Sequence, residues 1–191
     1  MANVNDMESV SLFDGDLLTD IDYSKGKCNL NEYGISPANP GEDLCMRPLC
    51  TDDFDKDFIE LLSQLTKVGD ITREKFLKRF HGMLANEGTY YIIVVENLKL
   101  RKLVACGSLI VEQKFIHDTA VRGRIEDIVV DDSIRGQRIG KLIVETLLLL
   151  SEKLGCYKTS LECRDPLLPF YSKFGFVAES QQNHLCKRFF H

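Results

Sequence analysis

Gly123–Lys141 reads GRIEDIVVDDSIRGQRIGK. Ile125, Ile128, Val129 and Val130 make a β-rich apolar run of strand length, which Asp131, Asp132 and Ser133 break. The basic turn Arg135-Gly136-Gln137-Arg138-Ile139-Gly140-Lys141 leads into apolar residues at Ile139, Leu142, Ile143, Leu147, Leu150 and Leu154, the period of an amphipathic helix. The first backbone N–H groups of a helix have no internal partner, and the helix dipole adds partial positive charge at that end. Glycines let the backbone approach an oxyanion closely. Arg135, Arg138 and Lys141 supply full charges, so a phosphate or pyrophosphate fits; the plain alternative is an ordinary basic turn.

Two nucleotide motifs are excluded. A P-loop needs four residues between its glycines and a Ser or Thr after the Lys. Here only Gln137, Arg138 and Ile139 separate Gly136 from Gly140, and Leu142 follows Lys141. A dinucleotide fingerprint needs G-x-G-x-x-G early in a βαβ unit, and this loop has no such triplet.

The chain has 191 residues, enough for one domain with a sizeable core. A net charge of −5 disfavours nucleic acid or an anionic membrane as partner. No apolar run reaches the ~20 residues of a membrane span, and the acidic start lacks the pattern of a signal or transit peptide. The cysteine count is odd, at seven, and no C-x-x-C pair occurs, so reduced thiols in a cytoplasmic protein are expected rather than a disulfide framework or metal site.

Residues 1–42, rich in Asp, Asn, Ser and Gly, read as a flexible N-terminal arm, in which Leu12, Phe13, Leu17, Leu18 and Tyr23 could dock on the domain formed by 43–191. Leu44–Leu49 reads as a strand. Thr51 is expected to cap a helix carrying Phe54, Phe58, Leu61, Leu62 and Leu65, and Thr72 a second carrying Phe76, Phe80 and Leu84. Strands follow at Tyr90–Val95 and Leu103–Val111, then a loop, Glu112–Gly123. After the quoted stretch come a strand at Cys156–Cys163 and a short helix opened by Pro166 and stopped by Gly175. Phe176-Val177 and Leu185–Phe190 read as final strands. Composition and order alone give α/β.

The turn resembles the pyrophosphate loop of the GNAT acetyltransferases, Arg/Gln-x-x-Gly-x-Gly/Ala. Arg135 and Gly140 match, and Arg138 stands where the first motif glycine usually sits. Within that superfamily the chain resembles the glucosamine-6-phosphate N-acetyltransferases. The matching segments are Arg47-Pro48-Leu49, Leu65–Gly69, KFIH at Lys114–His117, Glu126–Val130, Gly155–Lys158, Leu161-Glu162-Cys163 and Phe170-Tyr171…Phe174-Gly175-Phe176. Leu167-Leu168 replace that family's Asn-Val.

The resemblance implies a GNAT fold: a single domain whose central mixed, mostly antiparallel sheet is flanked by helices and splays between its fourth and fifth strands where the cofactor enters. It implies acetyl-CoA as cosubstrate, no metal, D-glucosamine 6-phosphate as acceptor in UDP-N-acetylglucosamine biosynthesis, and a homodimer with shared sites. Cofactor contacts fall on Ile128, Val129, Val130, Arg135, Gly136, Gln137, Arg138, Ile139, Gly140, Lys141, Tyr171, Ser172 and Lys173. Sugar-phosphate contacts fall on Thr66, Lys114, Phe115, Ile116, His117, Glu126, Asp127, Tyr157, Lys158 and Arg188, the last serving the neighbouring subunit. Glu126, Asp127 and the neighbourhood of Glu162 orient the amine, and Tyr171 stabilises the leaving thiolate.

Glu126 and Asp127 point to opposite faces of a regular strand, so only one can face a ligand unless a bulge intervenes. Neutralising a lysine amine of pKa near 10.4 at pH 7 costs roughly 4–5 kcal/mol. An amine flanked by electron-withdrawing oxygens, nearer 7.7–8.0, costs only ~1 kcal/mol, so a strong base is not required. A phenol near pKa 10 is a weaker acid than a thiol near 8.5, so hydrogen bonding suits Tyr171 better than full proton transfer. Two alternatives stay open: a GNAT enzyme acetylating a protein or polyamine amine, and a non-catalytic acyl-CoA-binding module.

Overall fold

The computed structural model describes residues 9–181 and 183–189. Strands β1 (Leu44–Pro48), β2 (Tyr90–Asn97), β3 (Lys102–Gln113), β4 (Val121–Val130) and β5 (Cys156–Leu161) lie side by side in that order. The first four pair antiparallel, and β5 joins β4 in parallel. The helices are α1 (Asp16–Thr19), α2 (Phe58–Ser63), α3 (Arg73–Leu84), the single turn α4 (Ile116–Thr119), α5 (Ile139–Lys153) and α6 (Leu168–Tyr171).

Alternation along β2 explains the layers. Ile93 and Val95 pack with Ile139, Leu142, Ile143, Leu147 and Leu150 of α5. Ile92 and Val94 point the other way, toward Phe58, Leu61, Phe76 and Phe80 of α2 and α3. Both faces of the sheet are covered, which is why Tyr91–Val95 reads as an unbroken apolar run. Thr72 caps α3, its side chain accepting the Lys75 N–H at 3.3 Å.

Strands β4 and β5 pair only from Val121↔Cys156 to Ile125↔Leu161, yet β4 runs on to Val130. Against β3 the register moves from Cys106↔Val129 to Ser108↔Glu126, one extra residue on β4. Asp127, at φ 52°, takes up that residue as a bulge. Past it, the β5-facing edge of β4 has no strand partner among the described residues, and the sheet opens as expected of a GNAT fold.

Several expectations need correction. Thr51 caps no helix: its hydroxyl accepts the Val10 N–H, and a 3₁₀ turn at Asp53–Lys56 precedes α2. The stretch Glu112–Gly123 is not all loop, because β3 extends to Gln113 and β4 begins at Val121. Phe176-Val177 and 185–189 carry no strand; Phe190 and His191 lie outside the described residues. Apolar residues signal a strand only where an edge receives them, and within one chain Val177, Leu185 and Phe189 stand 82%, 89% and 71% exposed.

The acidic, polar composition of the arm hides anchors. Within 9–42, Leu12, Leu18, Ile21 and Leu30 are buried, and the Leu12 N–H donates to the Leu49 carbonyl at 2.9 Å. Among the described residues no helix is long and apolar enough to cross a membrane.

Candidate active site

The turn before α5 is shaped by Asp131. Its buried carboxylate accepts the Ser133 N–H at 2.9 Å and the Ser133 hydroxyl at 2.5 Å. Gln64, past the end of α2, donates to the other oxygen at 2.9 Å and accepts the Asp132 N–H. The hydrogen bonds from Ser133 hold the Asp131 carboxyl down to about 2. Thr66, two residues beyond Gln64, is thereby brought near the same end of the sheet; its side chain is exposed.

Gly136 turns the chain at φ 88°. Arg138, in the glycine position of the loop motif, adopts a left-handed φ of 65° at a steric cost of about 1–2 kcal/mol. Its guanidinium lies 3.6 Å from the centre of the Tyr33 ring. Among the described residues no side chain caps α5, so the N–H groups of Ile139, Gly140 and Lys141 stay available to an anion. The Ile139 side chain is in the core, and only its backbone can serve a ligand. Arg135 pairs with Asp132 at 2.6 Å and donates to the Val130 carbonyl at 3.3 Å. Gln137 is exposed.

The opening between β4 and β5 is the second part of the site. Val129 is buried on the α2–α3 side of the sheet, so it can offer only backbone groups. Ile128 packs instead with Leu161, Val144, Tyr171, Phe174 and Phe176. Tyr171 is buried there, and burial pushes its phenol pKa up, with Cys163 adding to the effect. It is therefore a neutral donor at physiological pH. Ser172 spends its hydroxyl on the Pro169 carbonyl at 3.2 Å, while Lys173 is exposed beside it.

The bulge decides the acidic pair. Asp127 is exposed and its carbonyl accepts the Cys106 thiol at 3.6 Å; Glu126 is half-buried. Glu126 faces Arg124 at 3.1 Å, Arg124 faces Glu112 at 3.7 Å, and Glu112 faces Lys114 at 2.5 Å. Lys114 is therefore already paired within the chain. Glu162 is paired with His184 at 2.8 Å, a partner that sequence reasoning passed over.

The predicted acceptor residues divide into two groups. In α4, His117, Asp118 and Thr119 adopt left-handed backbone, and the His117 ring lies 4.6 Å from that of Tyr157. Phe115 and Ile116 are exposed, Lys158 is half-buried in β5, and Arg188 is exposed in the C-terminal segment. Lys114–His117, Tyr157 and Lys158 sit at the Val121↔Cys156 end of the parallel pair. Glu126, Asp127, Tyr171 and the α5 turn sit at the other end. From Val121 to Asp127 is six strand steps, roughly 20 Å.

The fold and this opening define a class of protein. Residues 54–176 match the Acetyltransferase (GNAT) family, and the chain belongs to it. Relatives sharpen the likeness. The chain is 48% identical over 172 residues to a probable glucosamine 6-phosphate N-acetyltransferase of Drosophila melanogaster, covering 90% of this chain and 78% of that one. It is 42% identical over 139 residues to glucosamine 6-phosphate N-acetyltransferase 1 of Dictyostelium discoideum, covering 73% and 88%. The crystal structure of glucosamine-6-phosphate N-acetyltransferase from Arabidopsis thaliana superposes with a TM-score of 0.73 at 38% identity, covering 78% of this chain and 99% of that one.

Proposed function

We propose that the chain transfers the acetyl group of acetyl-CoA to the 2-amino group of D-glucosamine 6-phosphate. The product, N-acetyl-D-glucosamine 6-phosphate, forms by direct attack in a ternary complex and feeds UDP-N-acetylglucosamine synthesis in the cytoplasm. One observation carries this reading: β4 parts from β5 at the Glu126-Asp127 bulge, between the uncapped N-terminus of α5 and the buried Tyr171.

The α5 turn suits the pyrophosphate of coenzyme A. The unpaired β4 edge suits the amides of its pantetheine arm, and an N–H there would polarise the thioester carbonyl. The amine attacks the thioester carbon; the C–S bond breaks as the tetrahedral intermediate collapses. The thiolate leaves with a hydrogen bond from the neutral Tyr171 phenol. The carboxylates at the bulge hold the acceptor and take up the ammonium proton, a modest task for an amine of this class.

One of the two groups of predicted acceptor residues lies at the far end of β4. A two-fold pairing in which Lys158, His117, Tyr157 and Arg188 of one copy meet the Glu126-Asp127 bulge of the other would complete each site. That supports a homodimer with shared sites.

Thiol release from acetyl-CoA is to be compared with glucosamine 6-phosphate, glucosamine and a lysine peptide as acceptors. Turnover with the phosphorylated sugar alone is expected; turnover with the peptide alone would overturn the reading. Subunit sharing is read by mixing. Tyr171→Phe and Lys158→Ala, each nearly inactive alone, are expected to recover about a quarter of wild-type activity when unfolded and refolded together. Activity no higher than that of the separate variants would place both residues in one subunit's site.

A further inference from the structure

The N-terminal segment crosses the outer surface of α5 before the sheet begins. Its fixing point is Glu145, one turn past Lys141 and only 4% exposed. The carboxylate accepts the backbone N–H groups of Lys27 and Cys28, the latter at 3.1 Å. Gly26 makes this approach possible, because a Cβ there would fall 2.7 Å from Glu145 Cδ. The Tyr23 hydroxyl donates to Thr146 at 3.4 Å, Leu30 is buried, and the Cys28 side chain joins the cluster formed by Val144, Tyr171 and Phe174. The segment then reaches the mouth of the α5 turn, where Tyr33 lies against Arg138.

Cations from three regions flank this strap. Lys27 Nζ lies over the end of the α6 region, where a Cβ added to Gly175 would meet it at 2.5 Å. Burial and then the Glu145 carboxylate push the Cys28 thiol pKa up, against the opposing charges of Lys141 and Lys173. Among the described residues, no carboxylate comes within ion-pair distance of Lys27, Arg138, Lys141 or Lys173. Coenzyme A brings a pyrophosphate diester of charge −2 and a ribose 3′-phosphate of about −1.5 to −2. Four cations exceed what the pyrophosphate alone would match, and they fit the sum of both groups.

We propose that residues 26–33 form the outer wall of the coenzyme's nucleotide site, and that Lys27 binds the ribose 3′-phosphate. The proposal rests on the coenzyme reading above and assigns a binding residue to the N-terminal segment. Glu145 holds the strap by its backbone, so the Lys27 side chain is free to meet the phosphate. Tyr33 holds Arg138 at the same mouth.

Calorimetry on the full chain, with coenzyme A and 3′-dephospho-coenzyme A as separate ligands, tests it. Lys27 is exposed, so Lys27→Ala should fold as wild type, which circular dichroism checks. Lys27→Ala is expected to bind coenzyme A about tenfold more weakly and dephospho-coenzyme A unchanged. The KM for acetyl-CoA should rise by a similar factor with kcat unchanged, and Lys27→Arg should restore most of the affinity. Equal weakening of both ligands, or no weakening of either, overturns the assignment. Tighter binding of coenzyme A by Lys27→Ala also overturns it, because the strap would then obstruct the site. Wild-type protein that binds neither ligand removes the coenzyme reading itself, and this proposal with it.

Discussion

Two clusters of charge in this molecule follow opposite plans. Around Arg47 every charge has its counterpart. Arg47 donates to both oxygens of the fully buried Asp53, at 2.7 and 2.8 Å, and to Glu96, which Lys56 also reaches at 3.2 Å. Asp53 accepts the Cys50 N–H as well, at 2.7 Å. Burial alone would raise the Glu96 pKa, but Arg47 and Lys56 outweigh it and hold it down. Along the strap and the turn before α5, Lys27, Arg138, Lys141 and Lys173 share one sign and are without carboxylate partners among the described residues. Paired, buried charge ties β1 to β2 and the turn before α2. Unpaired charge of one sign costs stability unless an anion arrives, and in the proposed reading the coenzyme's phosphates supply it.

The contrast is broken most severely at Asp53. Replacing Asp53 with Ala leaves Arg47 half-buried with one partner fewer, and about 3–5 kcal/mol of stability should be lost. Urea unfolding measures this. The KM for acetyl-CoA of the surviving folded protein should not move. A KM change as large as the stability change would mean that the two clusters are not separate.

A smaller effect is expected at Asp131, which stands between the two plans: it is an anion, but it shapes the basic turn before α5. Its folded pKa of about 2 lies below its ordinary 3.8. A depressed carboxylate contributes stability that is complete above the unfolded value and is lost as pH falls through the folded one. The contribution should therefore be full above about pH 4 and fade toward pH 2. Asp131→Asn should flatten that part of the stability profile and cost about 1–3 kcal/mol at neutral pH.

Arg138→Gly gives the smallest and sharpest test. Relief of the left-handed backbone is offset by the freedom glycine gains in the unfolded chain, so stability should move by less than about 1 kcal/mol. Loss of one cation at the mouth should raise the KM for acetyl-CoA about three- to fivefold, and less at high salt. Stability would then shift at the paired cluster and affinity at the unpaired one.

Local features of the site were open to reading. The break after Val130, the glycine at 136 and the apolar period from Ile139 locate the turn and the helix, because turn chemistry and helical period depend on near neighbours. Glu145, Gly26 and Tyr33 were not legible. A glutamate in the second turn of an amphipathic helix reads as a solvated residue, and nothing near it in sequence indicates that Lys27 and Cys28 will bring their N–H groups to it. Gln64 was missed likewise, 67 residues from the Asp131 it holds.

The sequence by itself determined the α/β class, the cap at Thr72 and the helix behind the basic turn. The bulge at Asp127, which breaks the strict alternation of Glu126 and Asp127 between the two faces of the sheet, was decided only when β4 met β3 on one side and β5 on the other. Pairing register is a property of two strands and their covered faces, so no single strand encodes it. The same holds for the division of the predicted acceptor residues between the two ends of β4. Which end a residue occupies follows from strand direction, and strand direction follows from the packing of α5 against the sheet.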